Sequence, residues 1–143
     1  MYDIIFVCTG NTCRSPMAEA IAKQMMPNLC FASMGVAASN GSPASENAIN
    51  VMKAWGLSLD SHKSRMIDHD LLADAKLVLT MTKSHLFFVK SVCKKANVFT
   101  LADYVGESKD ISDPFGGDMK IYQDCAGEIK SLISQVANII QDD

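Results

Sequence analysis

The sequence predicts an α/β fold of three layers: a four-stranded parallel sheet with helices on both faces. Two observations predict it. Four short runs that read as strands alternate with segments of helical periodicity, and such alternation implies right-handed crossovers and a parallel sheet covered on both sides. The first run also ends in a polar turn that opens directly onto a helix. Open parallel sheets bind their ligands at that end of their strands.

Each element follows in order. Ile4-Ile5-Phe6-Val7 is the first strand, apolar on both faces. Met17, Ala18, Ile21, Ala22 and Met25 recur at helical spacing behind it. Ser15 is the expected cap of that helix, and Pro16 suits its first turn. Residues 30–33 form the second strand. Ser42-Pro43 is expected to open another helix, striped by Ala48, Val51, Met52 and Trp55 and stopped by Gly56. Residues 76–80 make the third strand. Thr82 then caps a helix carrying Leu86, Val89 and Cys93, and residues 97–101 make the fourth strand. Residues 103–118 are polar and glycine-containing and read as a loop. The last helix spans 119–140, with Tyr122, Ile129, Leu132, Ile133 and Val136 inward. Gly127 within it costs ~1 kcal/mol relative to alanine, which a stripe of that length absorbs.

Composition narrows the function. A chain of 143 residues suits one domain spanning 1–143, and 48% apolar residues supply its core. A net charge of −3 gives no nucleic-acid footprint. Met1-Tyr2-Asp3-Ile4 shows neither a basic leader nor a long apolar h-region, so no secretory signal is expected, and no apolar run is long enough to span a bilayer. The expected address is the cytoplasm, with no membrane partner. The five cysteines, Cys8, Cys13, Cys30, Cys93 and Cys125, lack a disulfide-framework spacing. They read as free thiols, mostly packed as small apolar groups.

One cysteine needs another explanation. The turn after the first strand reads Cys8-Thr9-Gly10-Asn11-Thr12-Cys13-Arg14-Ser15. A loop joining a strand to a helix N-terminus can gather several N–H groups into one concavity, where the helix dipole adds partial positive charge. Gly10 permits unusual backbone angles, and Asn11 tolerates the left-handed region. The cradle fits a phosphoryl oxyanion, so this is read as a phosphate-binding loop. Arg14 offers a planar fork matched to two phosphate oxygens. Its charge and the amides favour the thiolate of Cys8, the attacking form. Ser15 can donate to the sulfur. The G-x-x-x-x-G-K-[ST] pattern of nucleotide loops is missing.

These residues resemble the low-molecular-weight protein tyrosine phosphatases. The family loop C-x5-R-[ST] matches Cys8 to Ser15, its Asp-Pro near the C-terminus matches Asp113-Pro114, and its H-x-[AS]-R segment is similar to His62-Lys63-Ser64-Arg65. The resemblance runs along essentially the whole chain. It implies a cysteinyl-phosphate mechanism on phosphorylated protein substrates, with no cofactor and no metal. It makes Asp113 the acid that protonates the leaving group and then the base that activates water; by sequence alone an Asp before Pro is a turn residue. It also implies a reversible disulfide between Cys8 and Cys13. His62, His69 and His85 lack metal-ligand spacing and read as surface or capping residues.

Substrate choice turns on Thr12. Tyrosine-specific members resembling this chain commonly carry Ile or Leu there, whereas a subgroup with Thr resembles bacterial protein-arginine phosphatases. The stretches from Cys8 to Glu19, 98–101 and 113–117 are similar to that subgroup. A hydroxyl on the pocket wall can orient water or a polar leaving group. Phe115 can flank a guanidinium or a phenyl ring. Phosphoarginine is therefore the expected substrate, with phosphotyrosine the alternative. Thioredoxin-coupled arsenate reductases share the loop but need a further cysteine pair, and Cys93 and Cys125 stand singly.

Overall fold

The computed structural model describes residues 1–142. Four strands, β1 (Ile4–Cys8), β2 (Phe31–Gly35), β3 (Leu77–Thr80) and β4 (Val98–Thr100), form one sheet in the order β2-β1-β3-β4. All neighbours are parallel, with Ile4 opposite both Phe31 and Leu77, and Cys8 opposite Gly35.

Alternation along β1 divides the core in two, as successive strand side chains must. Ile4, Phe6 and Cys8 face α1 (Arg14–Met25), α2 (Glu46–Ala54) and α6 (Met119–Asp142), meeting Met17, Ile21, Met52, Ile129 and Ile133. Ile5 and Val7 face the opposite layer with α3 (His69–Asp74) and α4 (Lys83–Val92), meeting Leu72 and Val89. These side chains are almost fully buried, and each large aliphatic or aromatic one contributes ~1.5–3 kcal/mol on leaving water. The predicted layers and the predicted inward face of α6 are both present.

Several local expectations are corrected. Ser15 does not cap α1: the cap position is Cys13, which makes no side-chain cap bond, and the Ser15 hydroxyl lies against Cys8. The second helix does not open at Ser42-Pro43. The Ser42 carbonyl accepts from the Ser64 amide and the Ser42 amide donates to Ser64 Oγ, and Ser45 caps α2 by accepting from the Ala48 amide. The fourth strand stops at Thr100, whose hydroxyl caps α5 (Leu101–Tyr104), so Leu101 is helical and the 103–118 stretch starts inside a helix turn. α3 has only six residues, too few to display a periodicity. Cys30 precedes β2 and is exposed rather than packed.

Candidate active site

Cys8 ends β1 with 2% of its surface exposed. Its Sγ lies 2.8 Å from Ser15 Oγ. Ser15 accepts a bond from Asn11 Nδ2 at 2.9 Å. A hydroxyl whose lone pair is taken in this way has its proton free for the sulfur.

The loop is held from outside as well as within. Asn11 is fully buried and adopts φ 57°, the one positive φ at a non-glycine residue among those described. Gly10 does not have a positive φ, and the left-handed position of the loop is Asn11, the residue expected to tolerate it. Hydrogen bonds with three residues outside the loop hold Asn11 there. Asn11 Nδ2 also donates to Ser33 Oγ at 2.9 Å, and its Oδ1 accepts from the Arg65 amide at 2.8 Å. His62 Nε2 donates to the Asn11 carbonyl at 2.7 Å. His62, half-buried, is therefore a strut of the loop.

Arg14 begins α1 and is buried. One terminal nitrogen donates to the Ile111 carbonyl at 2.8 Å, and the other reaches Thr9 Oγ1 at 3.5 Å and Asp113 Oδ2 at 3.7 Å. Asp113 is half exposed, and the Phe115 amide donates to its Oδ1 at 3.0 Å. Pro114 is buried while Phe115 and Gly116 are exposed, so the loop is anchored at one point and open at the next. Cys8, Thr9, Gly10, Thr12, Cys13, Arg14, Asp113 and Phe115 line one cavity of about 220 Å3. Of the residues singled out in the loop and the Asp-Pro segment, Asn11, Ser15 and Pro114 are buried and do not line the cavity. A larger cavity of about 420 Å3 lies between α1, β2 and residues 58–65, and no cysteine lines it.

Three contributors were not foreseen. Tyr122 of α6 places its hydroxyl 3.3 Å from Cys13 Sγ, and Cys13 Sγ is also 3.4 Å from Ser45 Oγ. Burial, with the Cys13 contact, pushes the Tyr122 hydroxyl up to about 12. His85 is 5% exposed and bonds Thr9, so its reading as a surface residue is corrected. Its backbone alone is capped, by Thr82. Gly35 lies where a Cβ would come within 2.5 Å of the Thr9 carbonyl and 2.9 Å of the Asn11 amide nitrogen. These contacts join distant segments, so no local spacing signals them. Among the described residues, no three His, Cys, Asp or Glu side chains cluster as a metal site, and no helix is long and apolar enough to cross a membrane.

A buried thiol and a buried guanidinium sharing one anion cradle at the head of a parallel sheet define a class, the cysteine-based protein phosphatases. The chain belongs to the low molecular weight phosphotyrosine protein phosphatase family, whose profile matches residues 3–143. It is 40% identical over 134 residues to PtpB of Staphylococcus epidermidis, named a low molecular weight protein-tyrosine-phosphatase, covering 93% of this chain and 95% of that one. Among solved structures, the YwlE arginine phosphatase from Geobacillus stearothermophilus is 38% identical with TM-score 0.94, covering 99% and 94% of the two chains. The tyrosine phosphatase Wzb from Escherichia coli K30, solved with sulphate, is 28% identical with TM-score 0.90, covering 98% and 99%.

Proposed function

We propose that this phosphatase hydrolyses phosphoarginine in proteins, with Cys8 as nucleophile, Arg14 as phosphoryl clamp and Asp113 as acid and base. The Cys8 thiolate attacks phosphorus while the P–N bond breaks. Asp113 gives its proton to the departing guanidine nitrogen, leaving arginine and a cysteinyl phosphate. Ser15, donating to the sulfur, makes it a better leaving group in the next step. Water then attacks phosphorus, Asp113 takes its proton, and the thiolate departs with release of inorganic phosphate. Arg14 and the loop amides hold the equatorial oxygens throughout.

The observation that carries the substrate assignment is the wall of the 220 Å3 cavity. Thr12 gives it a hydroxyl-bearing side, and its one aromatic is Phe115, 78% exposed. A phenyl ring would be covered on one face only. A planar guanidinium can stack on Phe115 and bond the Asp113 carboxyl group, which line the same cavity. The YwlE likeness supports this reading. Phosphotyrosine is the second reading, favoured by the name of the Staphylococcus epidermidis relative.

Side-by-side turnover of phosphoarginine and phosphotyrosine peptides decides between them, with Cys8→Ser as control. The expected result is a kcat/KM at least roughly tenfold higher for phosphoarginine, a difference of ~1.4 kcal/mol. Thr12→Ile is expected to shift the ratio toward phosphotyrosine. An unchanged ratio removes Thr12 as the selector.

A further inference from the structure

His85 stands in the first turn of α4, on a different element from every proposed catalytic residue. Its imidazole is buried, with Nε2 2.9 Å from Thr9 Oγ1 and Nδ1 without any hydrogen-bond partner. Thr9 follows the nucleophile in sequence, lines its cavity, and lies 3.5 Å from Arg14. A continuous chain of contacts therefore runs from α4 through Thr9 to the guanidinium.

The proton count gives this chain a direction. A guanidinium only donates, so Thr9 Oγ1 accepts from Arg14. A neutral imidazole carries one N–H. Placed on Nδ1, that proton would be a buried donor with nothing to bond, which costs ~1–3 kcal/mol. Placed on Nε2, it donates to Thr9. The Thr9 oxygen then accepts twice, and its own proton remains for an acceptor in the cavity that Thr9 lines.

We infer that His85 is a positioning residue of this phosphatase: its Nε2–H, together with Arg14, fills both acceptor sites of the Thr9 hydroxyl, orienting that hydroxyl as a donor to the phosphoryl oxygens and steadying the guanidinium. The inference rests on the proposed roles of Cys8 and Arg14. The charge state agrees with it. Burial and the neighbouring Arg14 hold His85 down to about 4 against the opposing carboxylates of Asp110 and Asp113, so the ring is neutral at working pH.

The test is a double-mutant cycle on kcat/KM with p-nitrophenyl phosphate, using wild type, His85→Leu, Thr9→Val and the double variant. His85→Leu and Thr9→Val are each expected to lose roughly tenfold, and the double variant no more than Thr9→Val alone, because one residue acts through the other. His85→Gln presents an amide N–H in place of Nε2–H and is expected to stay within about threefold of wild type, whereas the shorter His85→Asn loses roughly tenfold. A further tenfold loss from His85→Leu in the Thr9→Val background overturns the inference. So does equal activity of the Gln and Asn variants, a comparison that stands even where His85→Leu fails to fold. Wild type and Cys8→Ser serve as reference. If those two turn over alike, the underlying reading fails; if wild type is far faster but the cycle is flat, only the role of His85 fails.

Discussion

Where β2 meets the phosphate-binding loop, Gly35 is required by contact rather than by conformation. A methyl group there would press on the Thr9 carbonyl, the Asn11 amide nitrogen and Ala38 Cβ, all within 3 Å. Backbone cannot yield as a flexible side chain does. Gly35→Ala should therefore displace the loop that carries Cys8 and Arg14, lowering kcat/KM about 100-fold and stability by ~1–3 kcal/mol. Steady-state kinetics and urea unfolding check both. A variant with wild-type kcat/KM would show that the loop has room to shift. The contrast with Cys8 explains what a sequence discloses at this scale. Cys8, Arg14 and Ser15 sit within eight residues of one loop, so their chemistry is legible from spacing. Gly35 matters because of residues more than twenty positions away, and a glycine at a strand end has many ordinary explanations.

Elements bring their own contribution, and α6 shows it best. Its periodicity announces that Tyr122 points inward, but not that the hydroxyl meets Cys13. The short helices α3 and α5 escaped for a related reason: one or two turns carry no periodic signal, and only their caps, Asp68 and Thr100, hint at them. The Tyr122 contact bears on oxidation. Peroxide converts the Cys8 thiolate to a sulfenic acid, and the Cys13 thiol can then condense with it, forming S–S and releasing water. Tyr122 and Ser45 both bond Cys13 Sγ, and the thiol proton that Cys13 donates to Ser45 is given up in this reaction. We expect peroxide-treated protein to show a Cys8–Cys13 link by mass spectrometry, formed a few-fold faster in Tyr122→Phe. Sulfinic Cys8 with Cys13 still free would defeat the expectation.

On the scale of the whole molecule, stability should fall on both sides of a neutral plateau, and different groups set the two edges. Tyr122 and Cys125 are pushed up to about 12, chiefly by burial. The folded protein keeps those protons where the unfolded chain releases them, so their stabilisation is complete below pH ~9 and lost as pH rises toward 12. The acid edge belongs to His85, depressed from 6.5 to about 4. Between those values the unfolded chain binds a proton that the folded protein refuses. Stability must therefore decrease as pH falls through that window, and the change is of order ~3 kcal/mol at most. Asp3, whose carboxylate accepts from the Cys30 amide and also pairs with Lys76, is lowered as well, and acts only as pH falls through its own range below 3.8. Urea unfolding at pH 7 and pH 5 measures the His85 contribution directly. Wild type should lose stability between the two, while His85→Gln, with nothing to titrate there, should lose far less. Equal losses in the two proteins would mean that the imidazole takes up its proton in the fold as readily as in the open chain, and the buried, neutral ring behind Thr9 would have to be abandoned.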